Sequence, residues 1–434
     1  MNSNAMWAKS LAGGVEYSET SSYEKVFWWP TSGLSDLGEY KTFRFNMNQT
    51  SLNLHYRHAT LILEGQIKVK VDNSAIKTTD LNAPVHNMCC HMFQQCKFSL
   101  GGVLIESVSY VGHVSTVMEA ILAEKCVGEN VGLQYLYKPD VGDGAAANAN
   151  VGWKTRQGWL FRPTTKGKFT ARLPLNTIFG AFENFTLLSS YVGEIEFVRS
   201  ANNVLFHRAA AASKEWNVTF DNVKLEIPVA KPTQIESLRI LEDIAKKEHY
   251  LYSFRRRSAI LAPVPKEIQD FQLTVCNESQ QERPKFLFVV FQTQHGTDQT
   301  DNYSIYKHAN VESIFTKLNN VQIPENIVQA DMLENNYGRF FSDLIELRSN
   351  YPFPTSAIDC CNFRELFPIY SFDLSKHEQQ IASSSVVCEI LVRFKEPTPE
   401  HLRCYAIWVS DRTLQCFVDG SPIKIIRTPE AVIG

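Results

Sequence analysis

The amino-acid sequence predicts an all-β protein with two β-sandwiches in tandem and a few short connecting helices. Short apolar or alternating runs, separated by turn-rich breaks, recur along the whole chain, as expected of sandwiches or barrels. Aromatic residues make up 12% of the sequence, with 27 Phe and 16 Tyr, and these side chains favour pleated, half-buried surfaces. Windows with helical periodicity are few, which argues against strands that alternate with helices.

Runs of strand-forming residues fill the first half of the chain. Glu64–Val71 alternates polar and apolar residues, which predicts a strand with one face in water. Gly193–Val198 shows the same alternation. The predicted strands of this half are Tyr40–Asn46, Ala59–Val71, Met92–Leu100, Trp159–Phe161, Lys168–Leu173, Tyr191–Arg199 and Asn217–Ile227.

The second half continues in the same way and closes with a predicted hairpin. Asp419-Gly420 separates the apolar runs Leu414–Val418 and Ile423–Ile426, and Asp-Gly in such a place is a strong hairpin signal. The other predicted strands of this half are Leu251–Ile260, Phe271–Val275, Lys285–Gln292, Ser313–Val321, Ile369–Leu374, Val386–Phe394 and Cys404–Val409.

Three windows predict helices. Thr116 followed by Glu119 has the capping-box pattern, which predicts a helix that begins there and runs to Lys125. Gln234–Lys247 and Asn335–Leu347 place apolar residues at steps of three and four, which is typical of amphipathic helices.

Two sets of strands predict two domains. Pro228–Pro232 ends the first set, and Tyr250 opens the second. Each half has the size of one elaborated sandwich, and the halves share no obvious sequence repeat. The small, polar stretch Gly142–Asn150 predicts a loop. The predicted units are an N-terminal arm, a first sandwich, a connecting helix and a second sandwich, at residues 1–20, 21–232, 233–249 and 250–434.

The charge balance argues against a surface that coats nucleic acid. The formal net charge is −3 and the pI is about 6.4, whereas proteins that neutralise nucleic acid are basic. The densest basic run is Arg255-Arg256-Arg257. We predict that it forms a solvated or interface edge of a strand, and contact with packaged nucleic acid is the alternative.

The sequence also predicts where the protein is made. The N-terminus has no secretory-signal pattern, and no window reaches about 18 consecutive apolar residues, as a membrane span requires. Ten scattered cysteines suit a reducing compartment. We therefore expect production in the cytoplasm or nucleus and no membrane span.

One cluster has the residue types of a metal site. His86–His91 contains two His and two Cys, and Cys96 follows closely. Structural zinc sites usually combine two short ligand pairs, and no second pair is present here. If this segment is a strand, its adjacent cysteines point to opposite faces. We therefore predict that Cys89, Met92 and Phe93 are packing residues.

No other motif supports catalysis. Cys360-Cys361 is expected to carry free thiols, buried or in a loop. Phosphate-binding loops, zinc-protease motifs and nucleophile elbows are absent from the sequence. We predict no enzyme and name no catalytic, cofactor-binding or metal-binding residue.

Several segments, in order and on both sides of the predicted boundary, resemble the major capsid proteins of double-jelly-roll DNA viruses. The likeness is greatest to the Polinton and adintovirus-like branch of animals. One segment contains the Pro-Leu-x-x-Ile-Phe-Gly turn at 174–180, and another ends on Ile105-Glu106. The segments are Thr78–Phe93 with Cys96–Glu106, Gly167–Phe182, Val223–Pro232, and Phe367–Ser375 with Val386–Phe394 and Arg403–Val409.

This resemblance implies a fold, an assembly and a location. Each sandwich is then a jelly roll, and three chains form a trimeric, pseudo-hexameric capsomer of an icosahedral shell in the virion. Its expected partners are further copies in a homotrimer, neighbouring capsomers, a penton or vertex protein and minor capsid proteins. The shell encloses nucleic acid without sequence-specific binding. We predict that Trp28 and Trp29 contribute to contacts between subunits.

Two other classes of function remain as alternatives. One is a β-sandwich binding module, either lectin-like or derived from a domesticated capsid protein. Its only calcium candidate is Asp298–Asn302, for which a solvated loop is the preferred interpretation. The other is a hydrolase on a β scaffold, which no motif supports.

Overall fold

Antiparallel sheets dominate the computed structural model of this chain. No described helix is long and apolar enough to cross a membrane. The structure describes residues 20–33, 37–48, 53–122, 132–141, 150–160, 166–184, 191–209, 214–247, 249–275, 284–293, 298–349, 360–375, 387–417 and 421–426.

The first half of the chain forms a five-stranded sheet, a four-stranded sheet and a small extra pair of strands. One sheet has the order β1-β11-β4-β8, with β3 beside β11, and the other has the order β2-β9-β6-β7. Strands β5 and β10 form the extra pair. The strands are β1 (Thr20–Trp28), β2 (Thr42–Met47), β3 (Asn53–Leu54), β4 (Thr60–Val69), β5 (Asn82–Pro84), β6 (Phe93–Leu100), β7 (Val103–Ser109), β8 (Lys168–Pro174), β9 (Gly193–Arg199), β10 (Phe206–Arg208) and β11 (Trp216–Pro232).

The second half forms two further sheets. One has the order β12-β19-β14-β17, with β20 beside β19, and the other has the order β13-β18-β15-β16. The strands are β12 (His249–Pro263), β13 (Asp270–Val275), β14 (Pro284–Gln292), β15 (Val311–Leu318), β16 (Val321–Ile323), β17 (Tyr370–Asp373), β18 (Cys388–Phe394), β19 (Arg403–Phe417) and β20 (Lys424–Ile426).

The two halves have the same connectivity. We number the main strands of each half from one to eight, leaving out β3, β5, β10 and β20. In both halves one sheet then has the order 1-8-3-6 and the other has the order 2-7-4-5. The chain changes sheet at every connection except that between strands 4 and 5, which is the connectivity of a jelly roll. The two halves therefore repeat an architecture but not a sequence. This agrees with the lack of an obvious sequence repeat.

The alternation of side chains along the strands builds the core. In β2, Phe43, Phe45 and Met47 are buried, whereas the residues between them are exposed. Phe43 stacks on Phe197 of the neighbouring strand β9, with ring centroids 5.2 Å apart. Burying such a side chain contributes roughly 1.5–3 kcal/mol to folding. This alternating pattern is why the strand could be predicted.

Helices decorate the sandwiches and connect them. Two of the three predicted helical windows, those that begin at 234 and 335, are confirmed by α5 (Gln234–Ala245) and α6 (Gly338–Ser349). Helix α5 nevertheless leaves Ile235, Leu238 and Leu241 between 60% and 69% exposed. The helices are α1 (Met88–His91), α2 (Val111–Leu122), α3 (Val151–Leu160), α4 (Ala181–Asn184), α5 (Gln234–Ala245), α6 (Gly338–Ser349) and α7 (Cys360–Glu365).

Three local predictions were wrong. The predicted strand at Trp159 belongs to helix α3, because Asn150 caps that helix: its Oδ1 accepts the Trp153 N–H at 3.0 Å. Helix α2 begins at Val111, so Thr116 is an interior residue and not an N-cap. The segment around Cys89, treated as a strand, includes the helical turn α1.

Two strand boundaries also differ from the prediction. The run at 404–409 and the described part of the run at 414–418 form one continuous strand, β19, because β12 pairs with it along its whole length. Residue 418 lies outside the described residues. The run at 313–321 divides between β15 and β16. Strands β1 and β7 were not predicted, and neither were the short strands β3, β5 and β10.

The pairing of Thr413 with Ile426 confirms the closing hairpin. Its turn at Asp419-Gly420 lies outside the described residues. Residues 142–149 of the predicted loop and residues 1–19 of the predicted arm also lie outside them.

Candidate functional site at the junction of the jelly rolls

A buried carboxylate lies where β7 of the first jelly roll meets β12 of the second. Glu106 is fully buried. Its carboxylate accepts backbone N–H groups from Gly180 at 3.2 Å, Ala181 at 2.9 Å and Arg257 at 2.8 Å. Burial raises the pKa of Glu106, although these three donors favour its charged form. One side chain thereby joins β7, the start of α4 and β12.

The glycine of the Pro-Leu-x-x-Ile-Phe-Gly turn is Gly180, and its surroundings show why this residue is a glycine. A Cβ atom at this position would lie 1.8 Å from the carbonyl oxygen of Arg255, well inside any van der Waals contact. The two backbones can approach this closely only because residue 180 has no side chain. The turn of the first jelly roll therefore fits directly against β12 of the second.

Two arginines of the second jelly roll reach into the first. Arg257 donates to the carbonyl oxygen of Thr177 at 2.6 Å and forms an ion pair with Glu183. Arg412, on β19, donates to the carbonyl oxygen of Ile105 at 2.6 Å. These two guanidinium groups therefore bind backbone carbonyls of the first jelly roll.

A second contact between the jelly rolls centres on a fully buried ion pair. Arg156 Nη2 lies 2.6 Å from Asp140 Oδ1, and both side chains are inaccessible to solvent. Asn302 of the second jelly roll donates to the other oxygen, Asp140 Oδ2, at 2.8 Å. Burial opposes ionisation of Asp140, but the Arg156 guanidinium and the hydrogen bonds hold its pKa below its usual value.

Backbone groups of one jelly roll also bind side chains of the other. The buried Gln299 side chain pairs with Trp216 as a strand would, accepting its N–H at 2.8 Å and donating to its carbonyl at 2.6 Å. The Tyr191 hydroxyl accepts the Phe417 N–H at 2.8 Å. These contacts extend the junction along the molecule.

Three histidines are buried beside the second contact. Burial lowers the pKa of His86 and of His91 to about 3, and it lowers that of His113 well below its usual value. Their rings pack against aromatic side chains of the second jelly roll: His86 against Phe367 at 5.9 Å, and His113 against Tyr405 at 4.1 Å. All three are therefore neutral in the folded protein.

The residues predicted from sequence lie in different places. Trp28 is buried in the first jelly roll, whereas Trp29 is 61% exposed. Arg256 and Arg257 are buried, and Arg257 binds the first jelly roll as described. Arg255 is half-buried, with its guanidinium carbon 5.5 Å from the centre of the Phe286 ring. Burial of two of the three guanidinium groups leaves Arg255 as the member of this run with solvent access.

The cysteine-rich cluster is a packing element. Cys89, Cys90, Met92 and Phe93 are all at most 1% exposed, and burial raises the pKa of the Cys90 thiol to about 12. Within the described ranges, no group of three or more His, Cys, Asp and Glu side chains is placed to hold a metal ion.

Cys360 and Cys361 are free and exposed at the start of helix α7, and not in a loop or buried as predicted. In the calcium candidate, Asp298 accepts from the Thr300 N–H, and Asn302 is committed to Asp140. This segment therefore contributes to the junction.

Sequence reasoning missed most of the junction. Asp140 and Asn302 are 162 positions apart, and no short motif marks either. Glu106 and Gly180 did lie in segments singled out by resemblance, but their roles depend on a meeting with β12 that no local pattern reveals. Buried polar residues of this kind are visible only in three dimensions.

Comparisons with known proteins agree with this architecture. The sequence model of the double jelly roll-like domain family matches residues 84–414. No curated protein matches the sequence of this chain.

Solved structures with the same fold include a chain of the Sputnik virophage from electron cryo-microscopy, with 11% identity and a TM-score of 0.64, covering 96% of this chain and 91% of that one. The mavirus major capsid protein has 13% identity and a TM-score of 0.56, covering 100% and 94%. The Faustovirus major capsid protein has 9% identity and a TM-score of 0.58, covering 91% and 90%.

These likenesses span both jelly rolls and cover nearly the whole length of each compared chain. The identities are too low to carry more than the fold. The family match includes Glu106, Gly180 and Arg257, so it spans the junction. With its two jelly rolls of identical strand order, the chain belongs to the double jelly roll-like domain family.

Proposed function

We propose that this protein is a viral major capsid protein, a structural subunit of a virion shell and not an enzyme. The observation that carries this proposal is the pair of jelly rolls with identical strand order, locked together by a buried polar junction. A shell wall needs stiff modules with controlled edges, and two joined sandwiches supply them. The likeness to the mavirus and Faustovirus major capsid proteins supports the same role.

The assembly unit in this proposal is a homotrimer. Three chains with two jelly rolls each give six similar modules around a threefold axis, which is a pseudo-hexameric tile. We divide the chain into these modules at helix α5, with the jelly rolls at 21–232 and 250–434. Such tiles would pack against neighbouring capsomers in an icosahedral shell, with penton and minor capsid proteins as further partners.

Exposed apolar surfaces support self-association. Trp29 and Phe27 are 61% and 38% exposed at the end of β1, and helix α5 exposes Ile235, Leu238 and Leu241. Contiguous apolar surface of this kind usually marks an interaction site. We assign both surfaces to contacts between copies of this chain, with Trp28 buried beneath the first as its support.

The enclosed genome would be held without sequence-specific contacts. The net charge of −3 supports a shell that surrounds nucleic acid without coating it. Of the basic run, Arg255 is the residue we assign to a contact with the genome, because Arg256 and Arg257 are buried.

Negative-stain imaging of the purified protein tests this function. We expect hexagonal capsomers or closed shells across a range of salt and pH. Particles that remain single two-lobed subunits under all these conditions, together with binding of a glycan or peptide at one end of a sandwich, would contradict the proposal and favour a binding module.

A further inference from the structure

A cavity of about 280 Å³ lies between the two jelly rolls, close to the buried histidines. The first jelly roll contributes His91, Tyr110 and His113 to its lining, and the second contributes Tyr303 and Arg403. The walls therefore include several aromatic rings. None of the lining residues is Asp or Glu, so the charge in the cavity is positive and comes from Arg403.

His113 contributes a buried ring to the wall of this cavity. The side chain is 2% exposed. Its Nδ1 lies 3.4 Å from the Tyr306 hydroxyl, and its Nε2 has no hydrogen-bond partner among the described residues. The ring is neutral, so one nitrogen carries the proton. When the Tyr306 hydroxyl donates to Nδ1, Nε2 carries the proton, and this atom is inaccessible to solvent. The His113 ring therefore contributes an uncharged wall to the cavity and not a donor.

Arg403 provides the charged group. It is half-buried, and it contacts the hydroxyls of Tyr303 and Tyr405, which lie 3.2 Å from each other. A guanidinium group held among aromatic rings is suited to bind a carboxylate through two parallel hydrogen bonds. The surrounding rings are suited to an offset-stacked or edge-on aromatic partner.

We propose that this cavity binds a small aromatic carboxylate. Its ring would lie between Tyr110 and Tyr303, and its carboxylate would accept hydrogen bonds from the guanidinium group of Arg403. The volume is near the lower end of ligand cavities, about 300–1,000 Å³, which favours a single ring. Because the walls come from both jelly rolls, the bound molecule would stabilise the junction.

The melting temperature of the full chain tests this proposal, with benzoate as the probe. Benzamide, which lacks the charge, and acetate, which lacks the ring, are the comparison compounds at equal concentration. We expect a rise in melting temperature that grows with benzoate concentration and exceeds the rise with either comparison compound. No rise, or an equal rise with benzamide or acetate, would overturn the proposal.

Variants locate the effect in the cavity. Arg403→Gln is expected to weaken benzoate binding at least about tenfold, as loss of a charge-assisted contact does, but it also removes contacts with the tyrosine hydroxyls. Ala201→Trp gives an independent test, because Ala201 lines the cavity and is half-buried. We expect this variant to fold normally and lose the benzoate response.

Lys307→Gln is the charge control, because Lys307 is an exposed lysine of the second jelly roll, which also contains Arg403. This variant should keep the full rise in melting temperature with benzoate. A full response in Ala201→Trp, or its loss in Lys307→Gln, would contradict binding in this cavity.

Discussion

Asn302 in the second jelly roll donates its Nδ2–H to Oδ2 of Asp140 in the first, at 2.8 Å, and both side chains are buried. Arg156 binds the other carboxylate oxygen at 2.6 Å. The charge of Asp140 is thus shared between its own jelly roll and the neighbouring one. If one jelly roll unfolds, the other loses a buried polar partner. We therefore expect the two jelly rolls to unfold as one unit.

Asp140→Asn is expected to destabilise the protein by about 3–5 kcal/mol, because it leaves the buried Arg156 charge without its counter-ion. Chemical denaturation followed by fluorescence measures this loss. The control is Glu24→Gln, which breaks the exposed Lys231–Glu24 pair and should cost at most about 1 kcal/mol. Equal effects of the two substitutions would contradict a structural role for the buried pair.

Gly180→Ala is expected to disrupt the junction, since the new Cβ would lie 1.8 Å from the Arg255 carbonyl oxygen. The folded yield and melting temperature should fall sharply. Gly158→Ala is the matched control, because nothing lies within 4 Å of its Cβ and alanine favours a helix by up to about 1 kcal/mol. A variant at 180 as stable as the one at 158 would show that the backbones do not approach this closely.

Acidification is expected to destabilise the fold through the buried histidines. The pKa of His91 is lowered to about 3 in the folded protein from 6.5, so only the unfolded state takes up a proton as the pH falls below 6.5. The contribution of His91 to stability is therefore present above pH 6.5 and is lost as the pH falls toward 3.

Melting temperatures between pH 7.5 and pH 5 measure this dependence, which His91→Phe should make less steep, while His86 and His113 keep their share of it. His401→Gln, at an exposed site, should leave the slope unchanged. An unchanged slope in His91→Phe would contradict the assignment.

Glu119 is expected to change the pH dependence of stability in the direction opposite to that of His91. Burial is the main cause that raises its pKa from 4.5 to about 7; Glu183 adds to the rise, whereas Arg257 and Tyr135 oppose it. The folded state keeps the proton longer than the unfolded state, so the contribution of Glu119 to stability is present below pH 4.5 and is lost as the pH rises through 7.

Glu119→Gln should therefore be more stable than the unmodified protein at pH 8, with the difference vanishing near pH 4.5. The same comparison with Glu267→Gln, at an exposed position, should show no such pH-dependent gain. A gain that is absent at pH 8, or that is equal at both pH values, would count against the raised pKa.

Trp29→Glu and Leu238→Glu are expected to weaken self-association without loss of fold, since each places a charge on an exposed apolar surface. Val71→Glu is the control, because Val71 is an isolated apolar side chain that is 90% exposed. Analytical ultracentrifugation of the three variants measures the effect. Association that is retained in both test variants would show that neither surface is an interface.

The sequence predicted most strands because their patterns are local. Alternation in β2 and β4, and the closing Asp-Gly hairpin, need no knowledge of the rest of the chain. The prediction failed at Trp159, where an aromatic run belongs to a helix that Asn150 caps nine residues earlier. Attention to Asn150 as an N-cap would have found that helix.

The junction could not be predicted in the same way. Glu106, Gly180 and Arg257 come from three distant segments, and their partners are mostly backbone N–H and carbonyl groups. Any residue offers those groups, so the sequence carries no pairing signal. The run at 255–257 was visible as a charge cluster, but its burial follows from the docking of the two jelly rolls and not from its composition.

The mass of the purified, full-length chain in solution tests the central proposal most directly. Light scattering coupled to size-exclusion chromatography should give three times the subunit mass of 49.3 kDa, or much larger closed shells. A single subunit mass that persists across salt concentration, pH and protein concentration would contradict a trimeric capsid protein.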